Sequence, residues 1–290
     1  MSKRGIILAG GSGSRLFPTT AAVNKHLLPV YDKPMIYYSL SVLMLADVRE
    51  FLLITTPRDQ DRFKELLRDG HHLGIDISYA TQDAPNGIAD SFLIGEEFVA
   101  GEPVFLILGD NILFGVELGT RLRAIEAGQD AVIFSYPVKE PERYGVVEVD
   151  PKGNVISLVE KPANSGPGLA IPGLYLYPGD VAEKAKALVP SGRGELEITD
   201  LNNLYLKEGR IRVVPLGRGF AWLDAGTETA LLDASNFVAA IEHRQGLKIG
   251  CIEEIAWQLG WIDTAQLIEL GRALESSDYG KYILWIAERK

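Results

Sequence analysis

The stretch Leu8-Ala9-Gly10-Gly11-Ser12-Gly13-Ser14-Arg15-Leu16 sets three glycines in four positions directly after an apolar run and follows them with a cation. Glycines let backbone N–H groups approach an anion closely, so this loop suits a phosphate. A plain turn between strand and helix, the alternative reading, needs only one glycine. Three better-known loops do not fit. A Walker A loop requires Gly-x-x-x-x-Gly-Lys followed by Ser or Thr, and no such string occurs. A dinucleotide fingerprint would begin at Gly11 and Gly13, but Leu16 stands where its third glycine belongs and Pro18 interrupts the helix. Asp32, roughly 20 residues on, lies in the proline-flanked Pro29-Val30-Tyr31-Asp32-Lys33-Pro34 and not at a strand end. A G-x-S-x-G nucleophile elbow fails at Ser14.

Other residues carry charge to positions where chemistry is done. Arg15 and Lys25 follow the glycine loop closely enough for both to reach a triphosphate. Asp110 lies just beyond the apolar run Val104 to Leu108 and Gly109, at the carboxyl edge of a parallel sheet, where a carboxylate suits Mg²⁺. Asp224 ends the short apolar run through Trp222 and Leu223; by itself it could equally cap a helix beginning near Thr227. Glu160 and Lys161 precede Pro162 and a loop, placing a carboxylate for hydroxyls and a cation for a phosphate at a cleft rim. Gln82 offers an amide able to donate to and accept from a pyrimidine edge. The four histidines, His26, His71, His72 and His243, have no Ser or Cys partner spacing. The His71-His72 pair reads as a surface loop, since sequence neighbours rarely share a face, and Cys251 reads as a packed small hydrophobe.

The glycine loop, with Asn24-Lys25-His26-Leu27-Leu28-Pro29 and Tyr31-Asp32-Lys33-Pro34-Met35-Ile36-Tyr37-Tyr38, closely resembles the sugar-1-phosphate nucleotidyltransferases, and among them the members that transfer thymidylyl groups. The likeness continues through Leu108-Gly109-Asp110-Asn111, Glu142-Arg143-Tyr144-Gly145-Val146-Val147, Glu160-Lys161-Pro162, Gly194-Glu195-Leu196-Glu197-Ile198-Thr199-Asp200, Trp222-Leu223-Asp224 and Arg244-Gln245-Gly246-Leu247-Lys248. It implies Mg²⁺-dependent transfer from dTTP to glucose 1-phosphate, giving dTDP-glucose and pyrophosphate, as the first step toward a dTDP-deoxysugar such as rhamnose. It also implies a homotetramer and the short form of the enzyme; no hexapeptide repeat of a β-helical extension is present.

By the same resemblance Arg15 stabilises the departing pyrophosphate and Lys25 binds the phosphates. Leu8, Gly10, Gly11, Ser12, Gly13, Ser14, Gln82, Pro85, Gly87 and Asp110 form the nucleotide side. Lys161 holds the sugar phosphate and Glu160 the hexose hydroxyls, with Asn111, Tyr144, Gly145, Ile171, Tyr175, Arg193 and Glu197 completing the sugar side. Asp110 and Asp224 hold the Mg²⁺. No general base is needed, because a sugar phosphate dianion is already a nucleophile. Val116 and Gln258 depart from a His and an Arg that belong to a regulatory nucleotide-sugar site in some members, so weak or altered feedback by a thymidine-linked rhamnose is expected. Pro172 replaces a more usual Thr beside the sugar pocket. Rival readings are uridylyl transfer, a non-catalytic sugar-nucleotide sensor and a nicotinamide oxidoreductase. The joint presence of Arg15, Lys25, Asp110, Lys161 and Asp224 opposes the sensor, while Leu16 and Pro18 oppose the oxidoreductase.

These side chains need a scaffold. Short apolar runs at 5–8, 51–55, 75–80, 104–108 and 131–135 alternate with helical spacings at 59–69, 88–99 and 116–127, the pattern of a Rossmann-like α/β sandwich with a mixed, mostly parallel sheet. Strands at 146–149 and 155–160, joined by Asp150-Pro151-Lys152-Gly153-Asn154, predict an inserted antiparallel sugar-binding sheet. Beyond residue 226 the pattern is helical, which divides the chain into an α/β domain over 1–226 and a C-terminal helical segment over 227–290.

Composition sets the outer bounds. A chain of 290 residues with 47% hydrophobic residues can bury a core without disulfides, and its single cysteine excludes an internal disulfide framework. A formal charge of −10 opposes nucleic acid as a partner. No apolar run approaches the roughly 20 residues needed to span a bilayer. With no secretory signal pattern at the amino terminus, the expected location is the cytoplasm.

Overall fold

The structure is a computed structural model and describes residues 3–11, 13–126, 128–163 and 166–289. Its strands in chain order are β1 (Arg4–Ala9), the two-residue pair β2 (Pro29–Val30) and β3 (Lys33–Pro34), β4 (Glu50–Thr55), β5 (Asp76–Thr81), β6 (Val104–Leu108), β7 (Asn111–Gly115), β8 (Ala131–Val138), β9 (Gly145–Val149), β10 (Val155–Glu160), β11 (Gly168–Ala170), β12 (Leu174–Tyr177), β13 (Ile211–Pro215) and β14 (Phe220–Asp224). One large sheet runs β10-β9-β11-β8-β12-β6-β1-β4-β5, with β13 beside β8. The strands β6, β1, β4 and β5 are parallel, as the apolar runs of β1, β4 and β6 predict.

Alternation along these strands feeds two cores. Ile7, Leu53, Phe105 and Ile107 pack with the Ile36–Leu45 helix on one face; Ile6, Leu52, Ile54 and Leu106 pack with Phe92, Tyr177 and Tyr205 on the other. The Ile36–Leu45 helix is apolar nearly all round because it is sandwiched, and shaving Leu40 to Ala inside it should cost about 2–5 kcal/mol. The expected antiparallel insertion exists, but it continues the main sheet: β11 pairs with β8 and with β9. β12 also runs antiparallel, between β6 and β8.

Two expected helices are shorter than their spacing suggested. Residues 88–99 form two four-residue helices, Ser91–Ile94 and Glu96–Val99, meeting at Gly95. A Cβ there would lie 3.0 Å from Leu52 Cδ2, so the break is where the chain presses onto the sheet. The third crossover helix covers only Leu118–Arg123. The C-terminal helices Glu228–Gln245, Ile252–Gln258, Thr264–Ala273 and Asp278–Ala287 stand where predicted. Ile255, Leu267 and Ile283 insert into the core shared with Ile7 and Leu43. No helix of the described residues is long and apolar enough to cross a membrane.

Candidate active site

The carboxyl ends of β1, β5 and β6 open into one cleft, the usual ligand edge of a parallel sheet. Beyond β1, Gly13 adopts the left-handed conformation that glycine tolerates (φ 61°), and its carbonyl accepts bonds from Leu16 N (2.9 Å) and Thr20 Oγ1 (2.7 Å). The resulting single turn, Ser14–Leu16, buries Leu16 and leaves Arg15 free to enter the cleft. Leu8, Gly10, Gly11, Lys25, Gln82, Pro85, Gly87 and Asp110 line one cavity of the cleft, together with Glu160, Lys161, Arg193 and Glu197. Arg15, Asn111, Tyr144, Gly145, Ile171, Tyr175 and Asp224 line an adjoining cavity that shares Asp110, Glu160 and Lys161 with the first. Gly13 and Ser14 shape the loop without lining either cavity, and Ser12 lies outside the described residues.

The centre of the cleft is a charge cluster. Lys25 Nζ bonds Asp110 Oδ2, and Asn111 Nδ2 donates to Asp110 Oδ1 at 2.9 Å. Burial alone would raise the Asp110 pKa, but the Lys25 charge and these bonds bring it down to about 2. Asp224 behaves oppositely: burial, then the neighbouring Asp110 charge, push it above the ordinary carboxylate value. Two strands put them together, since β14 pairs with β7 so that Asp224 faces Asn111, and Ala225 N donates to the Asp110 carbonyl at 3.1 Å. The capping alternative for Asp224 does not hold, because Thr227 caps the Glu228–Gln245 helix, its side chain accepting from Ala230 N. Paired carboxylates that repel each other form a hard-oxygen set that suits Mg²⁺, which completes its shell with water and phosphate oxygens. Among the described residues no cluster of three or more His, Cys, Asp or Glu side chains could hold a metal by itself.

Asn111 is held by its oxygen, which accepts from Trp222 Nε1 (2.6 Å) and Gly173 N (2.9 Å). It therefore buttresses Asp110 as well as lining the cavity. His26 is buried behind Lys25, with Nδ1 2.8 Å from Asn24 Oδ1, and burial lowers its pKa to about 3, so the ring is neutral. A Cβ on Gly109 would lie 2.7 Å from the His26 ring, which explains the glycine before Asp110.

Where the two cavities meet, Glu160 Oε2 accepts from Thr199 Oγ1 at 2.6 Å and Oε1 lies 3.3 Å from Lys161 Nζ. Lys161 has φ 45°, a conformation L side chains rarely adopt, fixed by its N–H donating to the Tyr144 carbonyl at 2.9 Å. The Tyr144 ring packs on Trp222 at 4.8 Å between centroids. Burial raises the Tyr175 pKa, which keeps its hydroxyl protonated. Glu197 Oε1 already accepts from Arg193 Nη2 and Ser191 Oγ, each at 2.8 Å, so these two residues reach the cleft as a paired rim.

Gln82 departs from its expected behaviour. Its amide Nε2 donates to Gly87 O (3.1 Å) and Asp90 Oδ2 (2.9 Å), which occupies both N–H bonds and leaves an acceptor. Arg143, Thr199 and Trp222 line the cleft but were not singled out by sequence. Arg143 lies 4.0 Å from Asp224 and over the Tyr144 ring. Its place beside Tyr144 in a matched motif was the available signal. Gln258 lines a separate cavity with Phe114, Arg123, Lys248 and Cys251, its Nε2 bonded to Glu254 Oε1 at 2.9 Å; Val116 is exposed outside that lining.

Comparison with known proteins agrees with this architecture. Residues 4–241 match the nucleotidyl transferase family. The chain is 53% identical over 286 residues to a glucose-1-phosphate thymidylyltransferase of Mycobacterium tuberculosis, covering 99% of both. It is 54% identical over 288 residues to one of Xanthomonas campestris pv. campestris, covering 99% of this chain and 98% of that one. A Bacillus anthracis protein assigned as a glucose-1-phosphate thymidylyltransferase and crystallised with a sucrose superposes with a TM-score of 0.75 at 37% identity, covering 81% of this chain and 95% of that one. A UDP-glucose pyrophosphorylase with UDP-glucose, at 24% identity and a TM-score of 0.71 over 83% of this chain and 100% of that one, shares the fold. With the cleft and these relatives taken together, the chain belongs to the nucleotidyl transferase family and is a nucleotidyltransferase enzyme.

Proposed function

We propose that the chain transfers a thymidylyl group from dTTP to glucose 1-phosphate, giving dTDP-glucose and pyrophosphate. The observation that carries this reading is the meeting of the two cavities at Asp110 and Lys161, with Lys25 lining the first and Arg15 the second. Two phosphate-bearing substrates repel each other, so a catalyst for their union must neutralise both and hold the attacking oxygen in line with the α-phosphorus. In the proposed assignment Lys161 holds the sugar phosphate at its attacking oxygen, Lys25 steadies the triphosphate, and Arg15 stabilises charge on the leaving pyrophosphate. Asp110 and Asp224 would hold Mg²⁺, which when bound offsets charge on the phosphate oxygens. Glu160, fixed by Thr199, would accept from hexose hydroxyls.

The homotetramer, the cytoplasmic location and a role at the head of a dTDP-deoxysugar route belong to the same proposal. So does weak feedback: with Gln258 bonded to Glu254, a thymidine-linked rhamnose should inhibit poorly, and strong inhibition at micromolar levels would oppose that. The test of the main reading is pyrophosphate release with glucose 1-phosphate and Mg²⁺, comparing dTTP with UTP and repeating in EDTA. A dTTP-preferring signal lost in EDTA supports it; silence with either nucleotide from folded protein rejects it. Because one methyl separates the bases, preference over UTP is expected to be only about 10- to 200-fold.

A further inference from the structure

Asp90 stands at the N-terminus of the Ser91–Ile94 helix, where an aspartate ordinarily accepts a bond from the helix's own N–H groups. It makes no such bond. Its nearly buried carboxylate instead accepts from Gln82 Nε2 at 2.9 Å, and more weakly from Asn86 Nδ2 at 3.4 Å. Gln82 is equally buried, and its second N–H goes to the Gly87 carbonyl at 3.1 Å. Turning this amide over would set Oε1 against two oxygens, so its orientation is fixed. Oε1 faces the glycine loop: a Cβ on Gly10 would lie 3.3 Å from it, and Gly10 and Gln82 line the same cavity. The loop that supplies Gly87 is itself clamped, Leu196 N donating to Asn86 O at 2.6 Å and Ala89 N to Leu196 O at 3.1 Å.

We propose that Asp90 is a specificity-positioning residue: by holding the Gln82 amide in one orientation it makes the base side of the cleft an acceptor, which selects pyrimidines carrying a ring N–H and rejects those presenting a ring-nitrogen lone pair. This rests on the proposed nucleotide reading and deepens it. Thymine and uracil present an imide N–H, while cytosine presents a lone pair at the same atom. Against cytosine two acceptors face each other, and a buried mismatch of that kind is costly.

Calorimetric binding of dTTP, dCTP and N3-methyl-dTTP to the wild type, Asp90→Ala and Asp90→Asn tests this, with pyrophosphate release from dTTP measured alongside. The wild type should bind dTTP about 100-fold or more tighter than either analogue. Asp90→Ala frees one side of the amide and should narrow the dTTP-to-dCTP ratio by about tenfold or more. Asp90→Asn retains a carbonyl oxygen for Gln82 and should keep the ratio. An unchanged ratio in folded Asp90→Ala, or N3-methyl-dTTP bound as tightly as dTTP by the wild type, overturns the proposal. If Asp90→Ala does not fold, the methyl comparison and Asp90→Asn decide: a ratio collapsed in Asp90→Asn also overturns it. Binding that follows these expectations without turnover would reject thymidylyl transfer while leaving the Asp90 assignment standing.

Discussion

Two clusters of buried charge lie in this molecule, and they are built on opposite terms. In the first, Lys33 and Lys248 sit between Asp32 and Glu242: Lys33 Nζ is 2.5 Å from Asp32 Oδ1 and 3.1 Å from Glu242 Oε1, and Lys248 contacts both carboxylates. Glu242 also accepts from Ile249 N at 2.9 Å, and the Tyr38 and Tyr279 rings flank Lys33. Two cations meet two anions, and the network fastens the β2–β3 turn to the C-terminal end of the Glu228–Gln245 helix. In the second, Asp110 and Asp224 repel each other across the cleft. Lys25 holds Asp110 and, with Arg15 and Arg143, tempers Asp224 by less than burial and the Asp110 charge raise it. The matched network is a fastening; the mismatched one is held ready for charge that a ligand must bring.

The contrast predicts separable effects. The largest is on activity: Asp110→Asn should lower pyrophosphate release roughly a thousandfold, by several kcal/mol of lost charge stabilisation, with the fold intact by circular dichroism. Next comes stability at the other cluster. Lys33→Met leaves Asp32 and Glu242 underpaired and should cost about 3–5 kcal/mol in denaturant unfolding.

The pH dependences should have opposite signs. Burial tends to raise the Asp32 pKa, but Lys33 and Lys248 outweigh it and hold it below the ordinary value. Its stabilisation is therefore present above its unfolded pKa and is lost as pH falls through the folded one. The melting-temperature gap between wild type and Asp32→Asn should close below about pH 4. The folded Asp224 pKa is raised, so its contribution is fully present below the unfolded pKa and is lost as pH rises through the folded value. Asp224→Asn should accordingly melt a few degrees above wild type at neutral pH and gain nothing near about pH 3. The smallest effect sharpens the assignment of Asp224: Thr227→Ala should cost about 1 kcal/mol as a lost helix cap, with activity unchanged.

Legibility in the sequence follows the same divide between local pattern and distant partnership. The parallel strands could be read because β1, β4 and β6 are unbroken apolar runs, and the glycine loop because three glycines beside Arg15 fall within one turn. Asp110 could be placed at a strand's carboxyl end and Lys25 near the glycine loop by spacing, but the partnership of Asp110 with Asp224 came only from matched motifs. What brings the two aspartates together is the pairing of β7 with β14, more than a hundred residues apart, and periodicity gives a strand its faces without naming its partner. The same gap hid the continuity of β11 with β8. The helix break at Gly95 was missed because the apolar spacing runs on through it, while the close approach to Leu52 and Ile6 that leaves little room for a side chain there is tertiary. Gln82 was legible as an amide, but the direction of its bonds depends on Asp90 and Gly87 and has no signature in spacing.

The most direct measurement pairs activity with stability in one variant: pyrophosphate release from dTTP and glucose 1-phosphate in Mg²⁺, and the melting temperature at neutral pH, for wild type and Asp224→Asn. Activity lost roughly a thousandfold together with a higher melting temperature is the predicted result, since the buried charge that Asp110 opposes is the charge the reaction needs. Full activity in Asp224→Asn, or activity and melting temperature falling together, would contradict it and make Asp224 a structural residue.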